Sequence, residues 1–198
     1  MGPVSRLAFA VLVVCVELMG CTFERSAVPP DAIDAPAQID AAVDAAPVAE
    51  CPAGYGPVKG IGMYRVVEST AQTWSAAAGD CNDDNKTGGP YRFFTHLVVL
   101  SNETERTTIT GAGTPISGNT WIGLSDSATE GTFQWVTDEA TGGYPMVGAQ
   151  PPWDNDDPDN AGGNEDCVRF KNTSYVLEDK PCMDTESYVC ECDAFPPR

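Results

Sequence analysis

The sequence predicts an α+β domain in which two helices and several short strands are joined by one long irregular loop. Helix signals occur in two segments, and short runs of β-branched and aromatic residues carry strand signals. Residues 138–164 are rich in Gly, Pro, Asn and Asp, and loops of this length are usually functional. Eight cysteines in 198 residues favour disulfide bonds formed in an oxidising compartment.

The secondary-structure signals follow one another along the chain. A strand is predicted over residues 63–67, and a short apolar strand or strand-like lead-in over 97–100. Thr73 is a candidate N-cap for a first helix, whose apolar stripe is Trp74, Ala77, Ala78 and Cys81. Asn102, followed three residues later by Glu105, predicts the start of a second helix.

The charge of the chain excludes some classes of partner. With 11 basic and 29 acidic residues the formal net charge is −18, which disfavours nucleic acid and anionic membrane surfaces. Cations, neutral sugars and basic proteins are better suited as partners of so acidic a chain. The single histidine, His96, is not near any cysteine and no C-x-x-C pair occurs, so a zinc site is not expected.

The first residues have the layout of a secretory signal. Residues 1–20 contain one arginine and an apolar run, Leu7–Val16, that is too short to span a bilayer. Leu18-Met19-Gly20-Cys21 resembles a bacterial lipobox, which implies lipidation of Cys21 and an outer-membrane lipoprotein. Ordinary signal cleavage nearby is the alternative. Both predict a secreted or cell-surface protein, with membrane contact only through a lipid on Cys21.

A composition change marks the expected domain boundary. Residues 21–50 become rich in Ala, Pro and Asp and contain little bulky apolar surface, so we expect a disordered linker. The folded domain is expected over residues 51–194.

Five motifs within this domain, in order and at matching spacing, resemble the C-type lectin-like family. They are Cys51-Pro52-Ala53-Gly54-Tyr55, Trp121-Ile122-Gly123-Leu124, Thr132-Phe133-Gln134-Trp135-Val136, the stretch with Trp153, Asp157-Pro158-Asp159 and Glu165-Asp166-Cys167-Val168, and Tyr188-Val189-Cys190-Glu191. The resemblance implies the C-type lectin-like fold, two helices and short antiparallel sheets with a long calcium-binding loop. It also implies a cis bond before Pro158.

The resemblance implies two disulfide bonds, Cys81–Cys190 and Cys167–Cys182. The long form of the family has a further cysteine near Met63, which this sequence lacks. Cys192 is extra. Since the first and last strands pair in the family, Cys51–Cys192 is expected as the third bond.

The resemblance also implies Ca²⁺ as the cofactor. The positions of the sugar-site calcium ligands are occupied here by Asp157, Asp159, Glu165, Glu178 and Asp179. Those of an auxiliary calcium are occupied by Asp126, Glu130, Asn160, Glu165 and Asp166. All carry side-chain oxygen, the donor that calcium prefers. A solvated acidic loop is the alternative, whereas an EF-hand is excluded because Pro158 or a missing glycine breaks either register.

This sequence retains the family's metal-binding residues more completely than its sugar-binding residues. Asp157, Asp159, Glu165 and Glu178 are the expected ligand contacts, but the amide donors of the family's Glu-Pro-Asn and Trp-Asn-Asp motifs are replaced by carboxylates, which only accept when ionised. We therefore consider two binding functions, a calcium-dependent lectin for carbohydrate or glycoconjugate, and a calcium-stabilised module for protein or another surface ligand.

An enzyme is disfavoured by the same residues. No nucleophile or carboxylate pair comes with a base and an orienting partner, and His96 lies in a core segment of the family. Three tryptophans are expected in the core, namely Trp74, Trp121 and Trp135. Trp153 is expected to pack beneath the loop, with ligand contact as the alternative.

Overall fold

The computed structural model of the protein describes residues 50–87 and 91–198, which belong to one compact unit, Ala46–Arg198. The signal segment 1–20, the lipidation residue Cys21 and nearly all of the linker 21–50 lie outside the described residues. Within the described part, no helix has the length and apolarity to cross a membrane.

The expected α+β class and the family fold are confirmed. In chain order the elements are β1 (Gly56–Val58), β2 (Ile61–Gln72), α1 (Trp74–Thr87), β3 (Phe94–Leu97), α2 (Glu103–Ile109), β4 (Thr120–Ser125), β5 (Gln134–Trp135), β6 (Cys167–Lys171), β7 (Val176–Lys180) and β8 (Glu186–Asp193), with 3-10 turns at Ala161–Gly163 and Asn172–Ser174. The sheet order is β1-β2-β8-β4-β6-β7, with β3 on β8 and β5 on β4.

Both predicted helices form. In α2, Asn102 is the N-cap and its side-chain oxygen accepts from the backbone N–H of Glu105 at 3.0 Å. The Glu105 carboxylate in turn accepts from the backbone N–H of Ser101 at 2.8 Å, so local polar contacts fix this helix start. Helix α1 buries Ala77 and Cys81 against the sheet.

The tryptophans fill the core with one exception. Trp121 in β4 is fully buried, and Trp135 and Trp153 are 8% and 1% exposed. Trp74 differs from its expected core position, since it is only partly buried. It occupies the first position of α1, where its indole N–H reaches the backbone carbonyl of Ile122 at 2.8 Å and its ring lies at the edge of a groove.

The predicted strand over 97–100 is displaced. Strand β3 ends at Leu97, although Val98, Val99 and Leu100 are fully buried. The N–H of Val98 donates to the carbonyl of Val189 at 2.9 Å, and its carbonyl accepts from Gly123 at 2.8 Å. The segment therefore links β8 to β4 through single bonds instead of continuing the β3 ladder.

Three disulfide bonds join the ends of the sheet and the loop, with the pairing that the sequence predicts. They are Cys51–Cys192, Cys81–Cys190 and Cys167–Cys182. The first two attach β8 to the start of the domain and to α1, and the third links β6 to the residues just after β7.

Candidate metal and ligand-binding site

The long loop connects β5 to β6 and lies against β7. Trp153 is almost fully buried and forms a parallel bridge with Leu177 in β7. The next residue, Asp154, donates its backbone N–H to the Leu177 carbonyl at 2.8 Å. The Asp157–Pro158 peptide is cis, as expected. These contacts place the acidic middle of the loop beside the acidic residues of β7.

Three of the five carboxylates predicted for the sugar-site calcium converge. One carboxylate oxygen each from Asp157, Asp159 and Asp179 lie within 4.8 Å of one another. Asp179 is 1% exposed, and its two oxygens accept from the backbone N–H groups of Asp159 at 3.2 Å and Asn160 at 2.8 Å. The loop is thus held to β7 through the same carboxylate that completes the cluster.

The electrostatics of this cluster favour a bound cation. Burial, followed by the negative charge of Asp179, raises the pKa of Asp157 from 3.8 to about 7. Carboxylates at this spacing need either protons or a positive ion to stay together. A hard cation with oxygen ligands, such as calcium, fits this donor set.

The predicted auxiliary position forms a small cavity next to this cluster. Its volume is about 130 Å³, and its lining includes Asp126, Glu130 and Asn160 together with Pro158 and Asp179. Asp126 is 2% exposed, and its Oδ1 is buried with no hydrogen-bond partner among the described residues. Burial raises the pKa of Asp126. An unpaired buried carboxylate oxygen is costly, and a cation in this cavity would satisfy it.

Glu165, which the sequence assigns to both predicted ligand sets, is held by hydrogen bonds within the long loop. It is 6% exposed, and its Oε2 accepts from the backbone N–H of Ala161 at 3.0 Å. Its own backbone N–H donates to the side-chain oxygen of Asn160 at 3.0 Å. The backbone carbonyl of Asp166 accepts a hydrogen bond from the backbone N–H of Asp126 at 3.1 Å.

Glu178 departs from the predicted arrangement. Its Oε1 accepts from Arg169 at 2.9 Å, and its Oε2 lies 3.6 Å from the ammonium group of Lys171 and 3.9 Å from that of Lys180. It groups with Asp154 and Asp157 instead of with Asp159 and Asp179. This carboxylate is therefore already balanced by basic side chains of the same chain.

Sequence reasoning missed four residues of the site, namely Asp154, Arg169, Lys171 and Lys180. Lys171 pairs with Asp154, and Lys180 donates to Glu165 Oε1 at 3.1 Å. Arg169 lies directly opposite Glu178 in the β6–β7 ladder. Side chains alternate between the two faces of each strand, and residues opposite one another on neighbouring strands form pairs on one face. This alternation along β6 and β7 could have indicated the basic partners.

Comparisons with known proteins agree with this architecture. The family model described as Lectin C-type domain matches residues 70–192. Mouse C-type lectin domain family 4 member E is 28% identical over 132 residues, which cover 65% of this chain and 55% of that protein. Perlucin from Haliotis laevigata is 30% identical over 105 residues, which cover 51% of this chain and 63% of that protein. The chain thus spans less than two thirds of either relative.

A solved structure shows the same arrangement of elements. C-type lectin CEL-I from Cucumaria echinata superimposes with a TM-score of 0.56 at 26% identity, covering 72% of this chain and 97% of that chain. The family match extends over more than half of this chain, from within β2 to within β8. The chain therefore belongs to the C-type lectin domain family.

Proposed function

We propose that the protein is a calcium-dependent carbohydrate-binding module. The observation that carries this proposal is the convergence of Asp157, Asp159 and Asp179, one oxygen from each within 4.8 Å, on a solvent-reaching loop. Two of the three come from the segment between Trp153 and Cys167 and the third from β7, so the ligand set depends on the folded loop. Family membership and the word lectin in the names of its relatives support the assignment.

Two calcium positions follow from the side chains present. Asp157, Asp159 and Asp179 would hold the ion that faces a sugar, and Asp126, Glu130 and Asn160 would hold the auxiliary ion. Glu165 would serve both. Bound calcium would supply open coordination for two neighbouring hydroxyls of a sugar. The protein's own part is to fix the Asp179 carboxylate through the backbone N–H groups of Asp159 and Asn160.

The donors at the site are ammonium groups instead of amides. Lys171 and Lys180 have side chains 43% and 23% exposed, next to Glu178. Hydroxyl groups of a sugar would accept from these lysines, whereas the carboxylates would accept from the sugar. We propose that, because of this donor set, the protein prefers different sugars from those bound by family members with amide donors.

A glycan array in calcium and again in chelator tests the function directly. Wild type should bind a subset of glycans only in calcium, and Asp179→Asn should lose that binding. Asp184→Asn, a matched change on an exposed turn, should keep it. Chelator-insensitive glycan binding would refute the calcium dependence, and no binding by wild type in calcium would refute the sugar function.

A second candidate is a calcium-stabilised module for protein or another surface ligand. Met146 and Val147, 71% and 53% exposed, lie in the long loop, and Val147 shares the auxiliary cavity with Asp126. Exposed apolar side chains beside the site favour an apolar contact surface. In that case, calcium should protect the loop from protease, and the protein should bind no glycan on the array.

We also propose that the protein is exported to the cell surface or beyond, in agreement with its three disulfide bonds. Lipidation of Cys21 in a bacterial outer membrane is the finer form of this proposal, and it rests on the Leu18-Met19-Gly20-Cys21 segment alone. The intact mass of membrane-extracted protein tests it, since an unmodified cysteine or a different start would reject the anchor.

A further inference from the structure

A second group of potential metal ligands lies where β3 pairs with β8, and it shares no residue with the acidic cluster of the long loop. His96 is directly opposite Glu191 in this antiparallel pair, and Asp193 lies two residues beyond Glu191. Side chains two residues apart share a face of the sheet. One ligand atom of each residue lies within 4.8 Å of the others. Cys190 and Cys192 alternate with them and are bonded elsewhere.

The hydrogen bonds of His96 leave one ring nitrogen facing a carboxylate. Its Nδ1 lies 2.8 Å from the Leu97 carbonyl, which can only accept, so Nδ1 carries a proton. Its Nε2 lies 3.1 Å from Asp193 Oδ1. A neutral imidazole would present a lone pair to this oxygen, so either a proton or a metal ion belongs between them. Histidines that bind metals commonly donate their other N–H to a backbone carbonyl in this way.

The surroundings of His96 are buried and rich in carboxyl groups. His96 is fully buried and Glu191 is 5% exposed. Glu139 faces the same cavity, and its Oε2 is buried with no hydrogen-bond partner among the described residues. The carboxyl groups of Glu139, Glu191 and Asp193 therefore lie around one imidazole.

Two of the three ligands, Glu191 and Asp193, line a cavity, and a backbone contact fixes Glu191. A cavity of about 380 Å³ is lined by Glu139, Glu191 and Asp193. The backbone N–H of Val99 donates to Glu191 Oε2 at 3.0 Å, which fixes that carboxylate. Glu105 lines the same cavity, but its oxygens already accept from Tyr64 and Ser101, so it is not counted as a ligand.

We propose that His96, Glu191 and Asp193 form a binding site for a divalent transition metal such as zinc, with Glu139 as the nearest further carboxylate. Imidazole with carboxylates suits such ions, whereas calcium prefers oxygen alone. The site is separate from the cluster of Asp157, Asp159 and Asp179, although Glu139 lies at the start of the same loop. It uses a histidine with no cysteine, so no sequence motif indicates it.

The single histidine makes a direct experiment possible. In full-length protein labelled with ¹⁵N-histidine, the only imidazole signals belong to His96. Calcium is kept in excess so that the loop carboxylates do not take up zinc. One equivalent of zinc should shift the Nε2 resonance, while Nδ1 keeps its proton. An Nε2 resonance that is unchanged by excess zinc would overturn the proposal and leave a histidine–aspartate ion pair.

Matched variants separate this site from the loop. Asp193→Asn should lose the zinc-induced shift, and Asp157→Asn in the loop should retain it. The reverse pattern, or a shift that survives in Asp193→Asn, would overturn the assignment. Because Asp193→Asn could disturb folding, Glu139→Gln serves as a second variant at a half-exposed position, and it should weaken zinc binding measured by titration against the same resonance. Unchanged zinc affinity in Glu139→Gln together with a retained shift in Asp193→Asn would count against the site.

Discussion

The ammonium nitrogen of Lys180 lies 3.1 Å from Oε1 of Glu165, the carboxylate that the sequence assigns to both calcium positions. Neither side chain is freely solvated, since they are 23% and 8% exposed. Lys180 also approaches Glu178, at 3.9 Å. The ammonium group of Lys180 therefore lies among the carboxylates proposed to hold calcium, and calcium must compete with it.

Replacing this lysine should strengthen calcium binding. Lys180→Met keeps much of the apolar stem and removes the charge, so calcium affinity should rise by roughly tenfold, or about 1.4 kcal/mol. Titration calorimetry measures the change. Lys86→Met is the control, because Lys86 pairs with Asp83 on the surface of α1 and should leave calcium affinity unchanged. Unchanged or weaker calcium binding by Lys180→Met would contradict the competition.

The two acidic residues of β7 should contribute unequally to calcium binding. Asp179→Asn removes a carboxylate that meets Asp157 and Asp159, so it should reduce calcium affinity by roughly a hundredfold, or about 2.7 kcal/mol. Glu178→Gln should have a smaller effect, because Arg169 already occupies one oxygen of Glu178. Calcium titration of both variants measures the difference. Equal losses would mean that Glu178 leaves Arg169 to bind calcium.

The start of the long loop is attached to α2 through an acid-sensitive contact. Glu103 accepts from the side chain of Arg106 and, at 2.7 Å, from the hydroxyl group of Tyr144. The hydrogen bond from Arg106 is the main cause that lowers the pKa of Glu103 below 4.5. A lowered pKa in the folded state stabilises the protein above pH 4.5, and this stability is lost as the pH falls through the folded-state pKa.

Glu103→Gln should therefore lower the free energy of unfolding at pH 7 by about 1 kcal/mol, a value kept small because the Glu103 side chain is 44% exposed. This difference from wild type should shrink as the pH falls below 4.5. Urea denaturation at pH 7 and at an acidic pH measures it. Asp83→Asn, which breaks an exposed pair with Lys86, should change little at either pH. A loss that persists undiminished at low pH would point to packing instead of charge.

The disulfide bonds should differ in their effect on stability according to the chain length they enclose. Cys81 and Cys190 are 109 positions apart, and Cys167 and Cys182 are 15 apart. Loop entropy predicts losses of roughly 4–5 and about 3 kcal/mol when each pair is replaced by alanine. Urea denaturation of the two double variants should show this order. The opposite order would mean that strain or packing outweighs the entropy of the unfolded chain.

The parts of the fold that the sequence predicted depend on local or strongly patterned signals. Asn102 and Glu105 fix the start of α2 through contacts three residues apart. Trp121 lies in a strand that is buried along nearly its whole length, as the resemblance of its motif to the family implied. The bond Cys51–Cys192 followed from pairing the first and last strands, a relation supplied by the family resemblance.

The parts that escaped prediction depend on distant pairings. The contact of Arg169 with Glu178 requires the register of β6 on β7, and that of His96 with Asp193 requires the register of β3 on β8. A shift of one residue in either ladder would move these side chains to the other face. Residue types at single positions therefore identified the carboxylates but not the basic groups that neutralise them.

Strand β8, the last in chain order, pairs with β2, β3 and β4 and carries one cysteine of each of two disulfide bonds. During synthesis, the sheet cannot be completed before β8 has been made, since β8 is the strand between β2 and β4. Until the ribosome has delivered Cys190 and Cys192, Cys51 and Cys81 have no native partner and can oxidise with each other. A thiol-exchange catalyst that reopens such early bonds should therefore raise the yield of the native pairing.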